Sequence, residues 1–138
     1  MGTRLSKAYL LTKVLTATKQ EVIVYLYEGI ISHLHRARTA FGDGRRGAAS
    51  QSIDRAISII VELSGSLNYV TGGRLALQLD SIYNYLIESL TLANRHCDQG
   101  ALQACEGVVT ILYDAWQQAA ALEQQTDSTP ERQLQISA

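Results

Sequence analysis

The feature that most constrains this chain is the near-absence of proline. Its one proline is Pro130, close to the end of 138 residues. Proline removes a backbone donor and clashes with the preceding helical turn, so a stretch without it can form long uninterrupted helices. Residues 1–129 are therefore free to be helical over almost their whole length.

Apolar residues recur in four segments with steps of three and four, the rhythm of helices packed in a left-handed bundle. The first segment opens on a predicted capping box, in which Thr18 caps the amide of Glu21 and Glu21 reaches back to Thr18. The predicted core positions, segment by segment, are Ile23, Tyr27, Ile30, Leu34, Ala37 and Phe41; Ala49, Ile53, Ala56, Ile60, Leu63 and Leu67; Leu79, Tyr83, Leu86, Leu90, Ala93 and Cys97; and Leu102, Cys105, Val109, Leu112, Trp116 and Ala119.

Short glycine-containing corners separate these segments, so neighbouring helices must run antiparallel. The sequence predicts an all-α, up-down-up-down four-helix bundle over residues 18–125. An N-terminal segment, 1–17, is expected to cover the bundle, and residues 126–138 are expected to form a flexible tail. The second helix is predicted to begin near Ser50 and the third near Arg74.

Composition excludes several classes of protein. The formal net charge is −1, which argues against a nucleic-acid partner or a polybasic membrane patch. We find no secretory signal and no apolar run long enough for stable membrane insertion, so a cytosolic location is expected. Cys97 and Cys105 match no zinc signature and are interpreted as reduced, buried thiols.

No catalytic or metal-binding pattern is apparent, and we expect neither an enzyme nor a cofactor. A di-iron bundle needs Glu-x-x-His on two helices, which this chain lacks. His33 and His35 are two residues apart, so they point away from each other on a helix and are interpreted as surface residues. The sequence NYVTGG, residues 68–73, fits no phosphate-binding loop and is interpreted as the corner between the second and third helices.

Two helices carry a second apolar stripe that a bundle core does not require. Such a stripe predicts a groove for an amphipathic helix of another protein. Alternatively, wide apolar faces cover neighbouring helices, the N-terminal residues Tyr9, Leu10 and Leu11 lie over them, or the stripes bury against copies of the same chain. The candidate partner-binding residues are Ile59, Leu77, Tyr85, Leu92, Val108, Ile111, Ala115 and Leu122.

The chain resembles the bacterial flagellin export chaperones of the FliS family over about residues 8–118. The most specific matches are LYEG at 26–29, the glycine pair with the leucine at 67, LDSIYNYL at 79–86 and the Ala115-Trp116 pair. The resemblance implies a mainly four-helix chaperone that binds the C-terminal segment of flagellin, which becomes helical on the chaperone surface. It also implies an N-terminal segment around Tyr9 that covers part of this surface and yields to the client.

From these features we expect a cytosolic chaperone that prevents premature flagellin polymerisation and assists delivery to the flagellar export apparatus. The export gate is a candidate second contact. The chain is expected to be a monomer or weak homodimer, without a nucleic-acid partner. The alternative is a homo-oligomeric structural or adaptor bundle with a different helical partner.

Overall fold

The computed structural model describes residues 18–127, with side chains from 18 to 122. Four helices fill this range: α1 (Lys19–Gly42), α2 (Arg46–Gly65), α3 (Tyr69–His96) and α4 (Gln99–Asp127). Helix α1 packs against α2 and α4, and α3 packs against the same two helices, so α1 and α3 are diagonal to each other. This arrangement confirms the predicted four-helix bundle. Within the described range, no helix combines the length and apolarity needed to cross a bilayer.

Helix α1 starts at the predicted cap. The Thr18 hydroxyl accepts a hydrogen bond of 3.2 Å from the amide of Glu21, which satisfies one of the free N–H groups of the first turn. The helix ends at Gly42, beyond which the amide of Asp43 donates to the carbonyl of Thr39 and the amide of Gly44 to that of Phe41. The sequence between these caps contains no residue that would interrupt the helix.

The core follows the predicted stripes most closely at mid-height in the bundle. Its largest fully buried side chains are Tyr27, Tyr83, Ile30, Leu34, Ile53, Ile60, Leu86, Leu90, Leu102 and Val109. Some predicted core positions are only partly buried, namely Ile23, Phe41, Leu67, Leu112, Trp116 and Ala119. Ile23, Phe41 and Leu67 lie near helix ends, where fewer neighbouring helices cover a side chain.

The prediction of a buried thiol is wrong for Cys97 and confirmed for Cys105. Cys97 is exposed and caps the C-terminus of α3 in the left-handed conformation, with φ 52° and ψ 41°. The Cys97 amide donates to the carbonyl of Asn94 at 3.4 Å and the Asp98 amide to that of Ala93 at 3.0 Å, so Cys97 belongs to the turn rather than to the apolar stripe. Cys105 is buried, and this burial raises the pKa of its thiol.

The second corner also differs from its prediction. The chain reverses before the glycine pair, and α3 begins at Tyr69 because the Asn68 side chain accepts hydrogen bonds from the amides of Val70 and Thr71. Gly73, with φ 49° and ψ −124°, then interrupts the helix just after its first turn. The expected positive φ is confirmed at this glycine. This kink separates a single turn, residues 69–72, from the uninterrupted part of α3, which begins at Arg74 as predicted. Helix α2 begins one turn earlier than predicted, at Arg46.

We predict that Gly73→Ala destabilises the protein by about 1–3 kcal/mol, because alanine is strained at this backbone conformation. Gly107→Ala is the matched control, since Gly107 is exposed inside α4 and a Cβ there would contact nothing within 4 Å. It should stabilise the protein by about 0.5–1 kcal/mol through helix propensity. Urea denaturation followed by circular dichroism measures both, and equal effects of the two substitutions would contradict the kink.

Candidate partner-binding surface

One hydrogen bond fixes how α3 is rotated in the bundle. The Ser64 hydroxyl of α2 donates to the carboxylate of Asp80 on α3 at 3.0 Å. The flank of α3 that carries Asp80 therefore faces α2. Because residues advance by 100° along a helix, Tyr85 and Leu92 fall on the opposite flank, which faces α4.

Two polar contacts fix the rotation of α4 in the bundle in the same way. The Arg38 guanidinium of α1 pairs with Glu106 of α4 at 2.8 Å, and the Tyr113 hydroxyl of α4 donates to Glu28 of α1 at 3.0 Å. Burial raises the pKa of Tyr113, and the hydrogen bond to Glu28 raises it further, so this contact persists at neutral pH. The other flank of α4 faces α3. It contains no charged residue between Val108 and Leu122, and its members are Val108, Ile111, Leu112, Ala115, Ala119 and Leu122.

The two flanks lie along the seam between α3 and α4, and we call this apolar surface the α3–α4 groove. Its defining residues are Tyr85, Leu92, Val108, Ile111, Ala115 and Leu122. Tyr85 and Ile111 lie at similar distances from the corner that joins the helices, so they face each other across the groove. Ile111 is 71% exposed and Tyr85 is 58% exposed. From Val108 to Leu122 the groove runs about 21 Å at 1.5 Å per residue.

Six of the eight candidate residues are thus brought together, and two lie elsewhere. Ile59 is in the seam between α1 and α2, where its Cδ1 atom would be 3.2 Å from a Cβ built on Gly29. The glycine of the LYEG motif therefore allows α1 and α2 to approach closely over Ile59. Leu77 is 61% exposed but lies on the outer face of α3 toward α2, on the same side as Asp80. Tyr9, Leu10 and Leu11 lie outside the described residues.

A second apolar feature, which sequence reasoning missed, lies at the end of the bundle where α1 starts. This end pocket has a volume of about 470 Å³. Its apolar lining comes from all four helices and includes Ile23, Leu26, Leu67, Leu75, Leu79 and Trp116. Four of these residues are predicted core positions. The sequence feature that could have predicted the pocket is the position of these residues at the ends of their apolar stripes. No further helical turn covers the core beyond them.

The floor of the end pocket is tied together by two tyrosines. The hydroxyls of Tyr27 and Tyr83 are 2.6 Å apart and buried. Burial raises the pKa of both phenols, and the Tyr27 contact raises that of Tyr83 further. Hydrogen bonding to Tyr27 from Tyr83 and from the Trp116 indole offsets part of its own rise. Both tyrosines are therefore neutral and act as a structural pair joining α1 to α3.

The polar groups outside these apolar surfaces form no metal site over residues 18–122. Among the described residues, no group of three or more histidine, cysteine, aspartate or glutamate side chains is arranged to hold a metal ion. The exposed features of the fold are instead an apolar groove and an apolar pocket. Surfaces of this kind define a class of helical bundle that binds other polypeptides.

Comparison with known proteins places the chain within this class. Residues 1–123 match the family model described as flagellar protein FliS. The flagellar secretion chaperone FliS of Salmonella typhimurium is 33% identical over 106 residues, which cover 76% of this chain and 78% of that protein. The protein of the same name from Bacillus subtilis is 33% identical over 112 residues, covering 81% of this chain and 83% of its own length. The chain belongs to the FliS family, as its resemblance predicted.

We predict an asymmetric response to removing the two core hydroxyls. Tyr27→Phe leaves the Tyr83 hydroxyl without its partner and should cost about 1–3 kcal/mol of unfolding free energy. Tyr83→Phe should cost less, because Tyr27 keeps the contact with Trp116. The double variant should lose less than the sum of the two, since neither hydroxyl is left unpaired. Thermal and urea unfolding of the four proteins test this, and strictly additive losses would contradict the coupling.

Proposed function

We propose that this protein is a cytosolic export chaperone that binds the C-terminal helical segment of flagellin. In this role it prevents premature polymerisation and assists delivery of flagellin to the flagellar export apparatus. The observation that carries the proposal is the α3–α4 groove, an exposed apolar channel in a chain whose relatives are named flagellar secretion chaperones. Neither an enzymatic activity nor a cofactor forms part of the proposal.

The groove suits a client that becomes helical as it binds. An amphipathic helix of about fourteen residues matches the distance from Val108 to Leu122. Its apolar face would meet Ile111 and Leu122 on one wall and Tyr85 on the other. Ordering a disordered segment costs about 2–5 kcal/mol or more, which the buried apolar surface offsets while leaving the complex releasable. The same burial removes from solution the client face that drives assembly.

Residues 1–17 form a covering segment in this proposal. The tail, predicted to begin at residue 126, follows the end of α4 at Asp127. Leu75 and Trp116 in the end pocket provide apolar surface close to the start of α1, to which the covering segment would bind. Tyr9, Leu10 and Leu11 would occupy apolar surface when the client is absent and would be displaced by it. The export gate is the proposed second contact, made by the loaded chaperone.

We predict that Ile111→Asp weakens flagellin binding at least about a hundred-fold, because it buries a charge where an isoleucine side chain was worth about 1.5–3 kcal/mol. Val61→Asp is the matched control, since Val61 is 52% exposed on α2 and lies outside the groove. It should change binding less than about two-fold. Titration calorimetry with a peptide of the flagellin C-terminal segment measures both affinities, and circular dichroism checks that helicity is retained.

Leu77→Asp tests how far the client surface extends around α3. A loss comparable to that of Ile111→Asp would place Leu77 within the surface, and no loss would confine the client to the groove. Normal binding by Ile111→Asp itself would rule out the groove assignment. We expect a monomer or weak homodimer in sedimentation of the purified chain. A stable, concentration-independent oligomer that hides Ile111 would favour a self-assembling bundle instead.

A further inference from the structure

The seam between α1 and α2, opposite the groove, carries a strip of positive charge. It consists of Arg36 on α1, with Arg45 and Arg55 at the two ends of the strip on the α2 side. We call it the arginine strip. All three side chains are exposed, and Arg36 and Arg45 share the lining of one surface pocket of about 310 Å³.

The strip is continuous rather than a chance scatter of side chains. His33 lies in the same seam, and the charged groups that act on it are Arg36 from its own helix and Arg55 from α2. Burial lowers the pKa of His33, and these two positive charges lower it further. Arg55 and Arg36 therefore flank His33, and Arg36 leads on to Arg45 through the pocket.

The carboxylates nearest Arg36 have other partners. Glu28 and Glu106 line a surface pocket with it, but Glu28 accepts from Tyr113 and Glu106 pairs with Arg38. Neither Arg36 nor Arg55 makes a hydrogen bond or ion pair with a described residue. Arg45 pairs with Asp43 at 3.3 Å, but both side chains are more than half exposed, so this pair is weak and easily exchanged. Arg38 differs, since its charge is taken up by Glu106 on the α4 side.

The charge is also segregated along the molecule. Residues 33–57 and 89–107, which surround the α1–α2 and α3–α4 corners, hold six arginines and four carboxylates. The rest of 18–122 holds two basic and six acidic residues. In a chain with a net charge of −1, the end of the bundle that carries these two corners thus has a formal charge of +2.

We propose that the arginine strip is a second docking surface, which takes an acidic peptide segment of a partner protein. Arginine suits this occupant because its planar guanidinium can bind a carboxylate through two parallel hydrogen bonds. From Arg45 to Arg55 the strip runs about 15 Å along α2, a distance that about five residues of extended peptide span. The strip and the α3–α4 groove lie on opposite seams of the bundle, so this contact goes beyond client binding and leaves the groove free.

The test uses the full-length protein and a fluorescein-labelled synthetic peptide of alternating glutamate and serine. Fluorescence anisotropy at low salt measures its affinity for the wild type, for Arg36→Gln/Arg55→Gln, and for Lys19→Gln/Arg74→Gln. The last variant loses the same charge outside the strip. The strip variant should bind about ten-fold or more weakly, while the control should change less than about two-fold. Asp43→Asn should tighten binding, because it removes the carboxylate that competes for Arg45.

Equal losses in the two double variants would show that only net charge matters and would overturn the proposal. The proposal also fails if the wild type does not bind the peptide. It fails as well if the strip binds duplex DNA, or vesicles containing phosphatidylglycerol, instead of the peptide. A second measurement does not depend on any variant. Bound carboxylates oppose the field of Arg36 and Arg55, so the pKa of His33 measured by NMR should rise when the peptide is added. An unchanged His33 titration in a saturated complex would contradict binding at this site.

Discussion

The hydrogen bond between Tyr27 and Tyr83 is the contact on which the rest of the bundle depends. It joins α1 to α3, which are diagonal helices that share no seam, through the centre of the molecule. Among residues 18–122, the other side-chain hydrogen bonds lie nearer the surface and join neighbouring helices or turns of one helix. Two tyrosines meeting tip to tip fill a wide space, because each aromatic ring holds its helix away from the axis.

The seams of the bundle differ because different chemistry closes them. Gly29 lets α1 and α2 approach over Ile59, and the Arg38–Glu106 pair holds α1 to α4. The seam between α2 and α3 carries the Ser64–Asp80 hydrogen bond. Among the described residues, no comparable side-chain hydrogen bond or ion pair joins α3 to α4, and the flanks of that seam are apolar. If it is left uncovered, an exposed apolar seam favours self-association in water. A partner that covers the seam would remove this tendency.

Much of this organisation could be predicted from the sequence, because helical periodicity and capping are local properties. The Thr18 cap and the central stripe positions depend only on residues within a turn or two. The failures share a different cause. Cys97 continues the spacing of its stripe, but the position is taken by a left-handed helix cap, which spacing cannot reveal. The position of Ile59 outside the groove could not be predicted in this way. A helical wheel shows that a residue points away from its own core stripe, but it does not show which neighbouring helix that residue meets. The end pocket required knowledge of where each helix stops relative to the other three.

The two surfaces follow from one asymmetry of α1. This helix buries the middle of its apolar stripe, with Ile30 and Leu34 inside, so its remaining faces can be charged without loss to the core. Helices α3 and α4 instead keep apolar residues on a flank as well as in the core, and charge there would weaken the groove. The arginine strip is therefore confined to the α1–α2 side, and the groove to the α3–α4 side. A ligand in the groove could affect a ligand on the strip only through the close-packed core between them, which has little freedom to rearrange. Simultaneous occupancy would then require no coupling energy, and each partner could be exchanged while the other stays bound.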